Sequence, residues 1–334
     1  MKNLLLVAAA AAVRHNSPIV HGGSNRLQPT ALCENLRKNP GGVATVMKTL
    51  AIDIGGTNFS MAIFDEEERI IRRETRATDK EGGRDWMLRQ IGSVAREWQN
   101  EVKLDRCGIG FGGPVNFAEQ RVSISTHVGG WCDFHLTAYV QELLGLPAIM
   151  DNDANTGALG EALYGAGKGC SPLFFMTLST GIGGGIYDAG RIFRGADSYA
   201  GEIGHVTIRP DGPQCMCGAY GCFERMCSGL SLLRDYGRTA KELLQEPAFV
   251  NRYVVDLALG LKACIMLLNP ARIVIGGGMS KAGESLFGPL RAELRRQITP
   301  WSGARIDVVP AALGTDSVLY GALTLAKTLP TRSP

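Results

Sequence analysis

The stretch KTLAIDIGGTNFSMAIF, residues 48–64, places an apolar strand, a tight Gly-Gly-Thr turn and a second apolar strand in immediate succession. The strands are expected at 49–54 and 59–64, with the turn at 55–57. A second stretch, LFFMTLSTGIGGGIY at 173–187, repeats that order: strand 173–178, turn 179–183, strand 184–187. Working outward, a third strand is expected at 70–75, and Met87, Ile91, Val94, Trp98 and Val102 recur at helical spacing. Short apolar strands follow at 107–111 and 147–150, then a helix at 154–164 opened by Asp151-Asn152-Asp153. A long apolar helix at 253–268 ends at Asn269-Pro270, and its breadth of apolar faces makes it a core element before an interface. A strand at 272–275 runs into Gly276-Gly277-Gly278, and a helix at 314–327 closes the chain. Strands alternating with helices predict an α/β protein, and the echo between the two glycine turns predicts two related lobes facing across a cleft.

Composition narrows the function. With 334 residues, 45% of them hydrophobic and 20% charged, the chain has the makings of a globular core and not of a disordered segment. No apolar run reaches the ~18 residues that a membrane-spanning helix needs, so no membrane partner is expected. The net charge is +3, but residues 1–46 alone carry +4, leaving the remainder at −1. That part has no basic excess with which to grip a phosphate backbone, so no nucleic-acid partner is expected. The first 46 residues differ from the rest: an apolar run at 4–13 follows Lys2, yet Arg14 comes directly after it and prolines and glycines then break the segment. They are expected to be a disordered or mis-started leader rather than an export signal, with the folded protein beginning at Met47.

The turns are not a known phosphate loop by spacing. No G-x-x-x-x-G-K-[ST] occurs, Gly165–Gly169 lacks that spacing, and no G-x-G-x-x-G opens a helix after a strand. A Gly-Gly-Thr turn still cradles phosphate if its N–H groups converge and the threonine adds a donor. Read alone, Gly55 and Gly56 would supply only positive φ for a hairpin. Asp53 alters that balance, because a carboxylate at the end of an apolar strand is costly unless it faces a cation. Asp153 has two local readings that the sequence leaves open: a cap for the helix it begins, or a base mounted on a rigid element. Cys215, Cys217 and Cys222 gather three thiolates on a glycine-rich loop, which suits tetrahedral Zn²⁺. Spacing admits either Cys227 or His205 as the fourth ligand.

Taken together in chain order, several motifs resemble the sugar-kinase branch of the ROK family (repressors, open reading frames, kinases). They are Asp53-Ile54-Gly55-Gly56-Thr57, Gly110-Phe111-Gly112-Gly113-Pro114, Asn152-Asp153-Ala154-Asn155 and Ser179-Thr180-Gly181-Ile182-Gly183-Gly184-Gly185. Gly201-Glu202-Ile203-Gly204-His205 and the segment from Cys215 through Gly218, Gly221 and Cys222 to Glu224 complete the set, which spans about residues 48–328. The resemblance implies the actin-like ATPase (ribonuclease H-like) fold, two α/β lobes around a cleft. It divides the chain into an N-terminal lobe at 47–178 with its closing helix at 315–328, and a C-terminal lobe at 179–314 with a zinc loop at 205–222.

The resemblance also implies roles. Asp153 would be the catalytic base, and Asn152, Glu202, His205 and Glu224 would hold the sugar. Asp53, Gly55, Gly56, Thr57, Asn58, Thr180, Gly181 and Gly277 would hold ATP and Mg²⁺. His205 would join Cys215, Cys217 and Cys222 on a structural zinc, leaving Cys227 a buried thiol. Asn58 and Ser179 depart from the family's usual Lys and Gly, and Asp151 stands where the family often has Glu and receives no role. The implied activity is ATP-dependent phosphorylation of a hexose, glucose to glucose 6-phosphate, by a cytoplasmic homodimer. Gly129-Gly130-Trp131 resembles a segment of the glucose-type members. N-acetylmannosamine, N-acetylglucosamine and fructose kinases share the signature. A sugar-responsive transcription regulator would need a helix-turn-helix ahead of the sugar domain, and residues 1–46 offer none. A catalytically dead sensor would lack the aspartate.

Overall fold

In the computed structural model, which describes residues 47–125, 128–298 and 306–330, the chain builds two sheets of like design in succession. The expected leader at 1–46 lies outside the described residues. The first half runs β1 (Thr49–Ile54), β2 (Asn58–Phe64), β3 (Ile70–Ala77), α1 (Gly83–Glu101) and β4 (Arg106–Phe111). A small hairpin of β5 (Val115–Asn116) and β6 (Arg121–Val122) follows, then α2 (Leu136–Leu144), β7 (Ala148–Asn152) and α3 (Asp153–Tyr164). The second half runs β8 (Leu173–Leu178), β9 (Ile182–Asp188), β10 (Arg191–Ile192), α4 (Phe223–Cys227), α5 (Gly229–Tyr236) and α6 (Ala240–Leu243). It ends with α7 (Pro247–Leu268), β11 (Arg272–Gly276), α8 (Glu284–Gln297), β12 (Val308–Pro310) and α9 (Ser317–Lys327).

The sheets are ordered β3-β2-β1-β4-β7 and β10-β9-β8-β11-β12. Each has an antiparallel hairpin at its heart and parallel strands on one flank, so the echo between the two glycine turns is an echo of topology. Central strands read as near-continuous apolar runs because both faces are covered, while β3 alternates between half-buried and exposed positions. The parallel register sets Asp53 of β1 beside Gly110 of β4, and Gly110 beside Asp151 of β7. The polar residues of the first sheet therefore collect at the carboxyl ends of its parallel strands, where open α/β sheets bind ligands.

Helices cover the sheets through the apolar stripes that the sequence shows. In α1, Met87, Ile91, Val94 and Trp98 are buried against the first sheet. α7 is a core helix, as expected: Leu257, Ala258, Leu261 and Ile265 sit inside, and the helix stops at Asn269 in the left-handed region ahead of Pro270. Helices α2, α5, α6 and α8 and the β5–β6 hairpin were not among the expected elements.

The chain passes between the sheets twice, at 165–172 and at 311–316. β8 belongs wholly to the second sheet, so a lobe boundary after 178 would cut it from its partners, and the first passage lies before Leu173. Both passages are fastened to one carboxylate. Glu161, fully buried on α3, accepts from the Ala166 N–H at 2.8 Å, from Ala312 and Leu313 N–H at 3.1 and 3.0 Å, and from the Ser317 hydroxyl at 2.7 Å. α3 and α9 cross so closely that a Cβ on Gly321 would lie 1.7 Å from the Thr156 carbonyl oxygen.

Candidate active site

The two glycine turns meet. Gly55 turns the chain between β1 and β2, and its N–H donates to the Asn58 carbonyl at 3.0 Å. Gly55 does not take a left-handed φ, contrary to the expectation for a simple hairpin turn. The requirement is space: a Cβ on Gly55 would lie 2.7 Å from the Asn58 oxygen. The second turn closes through Ser179 N–H to Gly181 C=O at 3.0 Å, and the start of α5 docks on it through Leu230 N–H to Thr180 C=O at 3.1 Å. Across the space between the sheets, Thr57 Oγ1 and Thr180 Oγ1 lie 2.9 Å apart. Gly277 follows β11 with φ +84°, its backbone against Leu178.

A cavity of about 1040 Å³ opens beside these hydroxyls. Thr57, Ser179 and Thr180 line one end, and Leu230, Leu233, Leu244 and Met279 supply an apolar wall. Lys80, Lys241 and Lys281 also line it, and among the described residues no carboxylate does. Of the expected nucleotide residues, Thr57 and Thr180 reach this cavity. The wall from α5 and α6 was missed, because those residues have no glycine or charge signature and become neighbours only when the chain folds.

Asp53 is half-buried, and among the described residues no hydrogen bond satisfies its carboxylate. Burial pushes its pKa up to about 8, with Asp153 and Asp316 adding to the rise and Arg73 opposing it. A carboxylate held in this way favours a cation beside it.

The N-cap of α3 is Asn152. Its Oδ1 accepts from Ala154 N–H at 2.9 Å and Asn155 N–H at 3.2 Å, while its Nδ2 donates to the Gly113 carbonyl at 3.0 Å. The capping role that the sequence left open for Asp153 thus falls to its neighbour. Asp153 Oδ1 accepts from Ala154 N–H at 2.8 Å, and a Cβ on Gly112 would lie 3.5 Å from Oδ2. Burial lifts its pKa to about 7; the Glu202 charge adds to the rise and the backbone N–H of Ala154 opposes it. A base with that value is half-ionised near neutral pH, where general catalysis is most effective.

Glu202 precedes a single 3₁₀ turn, Ile203–His205. Its pKa is raised by burial and by Glu224, and lowered by His205. Glu224, in the first turn of α4, accepts from Ile182 N–H at 2.8 Å and so joins this group to the second glycine turn. Asp153, Glu202, Glu224 and His205 therefore form one neighbourhood, although 71 positions separate the outermost pair.

His205, Cys215, Cys217 and Cys222 offer ligand atoms that all lie within 4.8 Å of one another. Cys217 and Cys222 sulfurs are 3.6 Å apart, and Cys215 Sγ is 3.9 Å from His205 Nδ1. Four donors on a tetrahedron with Zn–S of ~2.3 Å would stand roughly 3.8 Å apart, so the set fits. The other contender, Cys227, is fully buried, and Tyr253 Oη donates to its carbonyl. Trp131, from the Gly-Gly-Trp segment, is 1% exposed between Phe111 and Phe134, at 5.0 and 5.6 Å between ring centroids. Its place is in the core.

Comparison with known proteins agrees with this architecture. The profile of the ROK family matches residues 49–329. The chain is 32% identical over 309 residues to a glucokinase of Thermotoga maritima, covering 84% of this chain and 98% of that one. It is also 32% identical over 293 residues to an N-acetylmannosamine kinase of Vibrio cholerae, covering 83% and 98%. A solved ROK family glucokinase from Streptomyces griseus, in complex with glucose and AMPPNP, superposes with a TM-score of 0.75 at 28% identity, covering 84% of this chain and 100% of that one. The fold is the actin-like ATPase fold, with two α/β lobes. With the profile matching from β1 to the end of α9, the chain belongs to the ROK family.

Proposed function

We propose that the protein is an ATP-dependent sugar kinase that phosphorylates a hexose, with glucose as its substrate. One observation carries this reading: Asp153 is free of the capping role, lifted by burial to about 7, and near enough to Asp53, at the mouth of the first glycine turn, and to Glu202 for their charges to act on one another. In the reaction, a sugar hydroxyl attacks the γ-phosphorus of ATP, its proton passes to the Asp153 carboxylate, and the bond to the β-phosphate oxygen breaks to release ADP. Asn152 keeps one amide hydrogen for a sugar hydroxyl beyond the one given to Gly113. Glu202 and Glu224 accept from further hydroxyls, and His205 faces the same space. Glucose and AMPPNP in the related Streptomyces griseus enzyme support both the sugar and the nucleotide assignments.

The turns at Gly55-Gly56-Thr57, with Asn58, and at Thr180-Gly181, with Gly277, would hold the phosphates. Asp53 would hold Mg²⁺, which neutralises developing phosphate charge when bound. His205, Cys215, Cys217 and Cys222 would hold a structural Zn²⁺ with every position filled by protein. Bound there, the ion would fix the loop that begins at His205 and ends just before Glu224, the two residues proposed to reach the sugar.

An N-acetylmannosamine kinase is the second reading, favoured by the 32% identity to the Vibrio cholerae enzyme. A coupled ADP-release assay over glucose, mannose, fructose, N-acetylmannosamine and N-acetylglucosamine separates the readings. Highest kcat/KM on glucose supports the first, and highest kcat/KM on an N-acetylhexosamine replaces it with the second. ADP release that no sugar stimulates would overturn both.

A further inference from the structure

Asp151 and Arg194 stand outside the machinery just described, yet they join its two halves. Asp151, the residue of β7 before Asn152, is 1% exposed. Its Oδ1 accepts from Asn152 N–H at 2.8 Å and from Asn155 Nδ2 at 3.1 Å. Its Oδ2 takes the Arg194 guanidinium, Nε at 2.8 Å and Nη2 at 2.7 Å. Arg194 comes from the other sheet, on the loop after β10, and its guanidinium lies 3.5 Å from the ring centroid of Phe117 on the β5–β6 hairpin. The same loop gives a second tie to that hairpin, Phe117 N–H donating to Ser198 Oγ at 3.2 Å. The Arg194 carbonyl accepts from Ala200 N–H at 3.0 Å, which closes the loop two residues before Glu202.

A charge pair buried this well is held by its geometry: the planar fork of arginine meets a carboxylate on one side and an aromatic face on the other. We propose that Arg194 and Asp151 are positioning residues that set the spacing between the Asn152–Asp153 half of the sugar site and the Glu202–His205 half. Neither is among the residues proposed above to hold the sugar. The clamp acts on one substrate, because the loop it holds leads to the sugar carboxylates and lies away from the cavity beside Thr57 and Thr180. This role rests on the sugar-kinase reading above.

The test is steady-state kinetics of the full chain with Arg194→Met and Arg194→Lys, together with glucose binding by calorimetry, which needs no turnover. Arg194→Met is expected to raise the glucose KM and the calorimetric Kd by ~10- to 100-fold while the ATP KM stays within about twofold, since an ångström of misplacement is worth that much. Arg194→Lys retains the charge but not the plane, and is expected to fall between wild type and Arg194→Met. If Arg194→Met does not fold, an Arg194→Lys variant that folds and still shows a raised glucose KM supports the clamp in its place. Glucose KM and Kd unchanged in a folded variant, or ATP KM rising in parallel with glucose KM, would overturn the clamp. A wild-type enzyme that turns over no sugar would instead overturn the reading beneath it.

Discussion

Thr57 and Thr180, 123 positions apart in the chain, place their hydroxyl oxygens within a single hydrogen bond of 2.9 Å. Each belongs to the turn at the heart of its own sheet, so the contact is where the two halves of an internally repeated fold come together. A phosphate bound there would take both hydroxyls in place of their bond to each other.

The first prediction concerns that pair. Thr180→Ala removes one hydroxyl of that pair, the proposed phosphate donor, and leaves the turn's backbone in place. The expected result is a loss of roughly 10²-fold in kcat, the scale for deleting one transition-state donor. Glucose affinity by calorimetry should be unaffected. A variant with kcat within about threefold of wild type would remove Thr180 from the phosphate site.

A second prediction follows from the elevated pKa of Asp153. As base it must be ionised, so kcat/KM should fall as pH drops through about 7. Asp153→Asn should lose ~10²- to 10⁴-fold in turnover while still binding sugar. Stability should move the other way. The folded state favours the protonated acid, so its contribution is complete below the ordinary carboxylate value of 3.8 and is lost as pH rises through about 7. Above pH 7, Asp153→Asn should therefore be the more stable protein, by on the order of 1–3 kcal/mol, and near pH 4 the difference should vanish. Denaturant melts at the two pH values check the sign.

Third, Glu161→Ala should be among the most damaging changes to the fold outside the hydrophobic core. It takes the side-chain acceptor from three backbone N–H groups and leaves the Ser317 hydroxyl with only its longer contact to the Gly314 carbonyl at 3.3 Å. Each orphaned donor costs about 1–3 kcal/mol. Ser317→Ala, which removes one of the four, should cost about 1 kcal/mol in a urea melt. Equal effects from the two substitutions would contradict the shared-acceptor geometry.

Fourth, metal analysis of the purified chain should find about one zinc per chain, following the four-ligand set. Cys217→Ser should lower that content. Removal with a chelator should abolish activity and open the loop at 205–222 to proteolysis, because the ion proposed there would hold the loop shut. Full activity in zinc-free protein would show that the cysteines act without a metal.

Much of the fold was legible from short-range chemistry. The strand–turn–strand segments at β1–β2 and β8–β9 announce themselves because an apolar run that stops at glycine has few other ways to fold. The stop of α7 at Asn269 was equally visible, since proline cannot continue a helix. Helices α5 and α6 were missed: they are short, and their periodicity is too brief to stand above the noise of the surrounding loop. The end of the first lobe was misplaced because β8 looks the same in sequence whichever sheet it joins; pairing alone assigns it.

The candidate site divides in the same way. Motif order marks Asp153, Glu202, His205 and Glu224, and the cysteine spacing marks a metal loop. The sequence by itself determined which residue types stand at each turn and which segments must be strands or helices, because those properties depend on neighbours a few positions away. The tertiary structure alone decided that Asn152 and not Asp153 caps α3, that Glu161 ties both passages between the lobes, and that Arg194 reaches Asp151. Each of these depends on hydrogen-bond partners that are brought together when two sheets close on one another, and no spacing along the chain encodes such a distance.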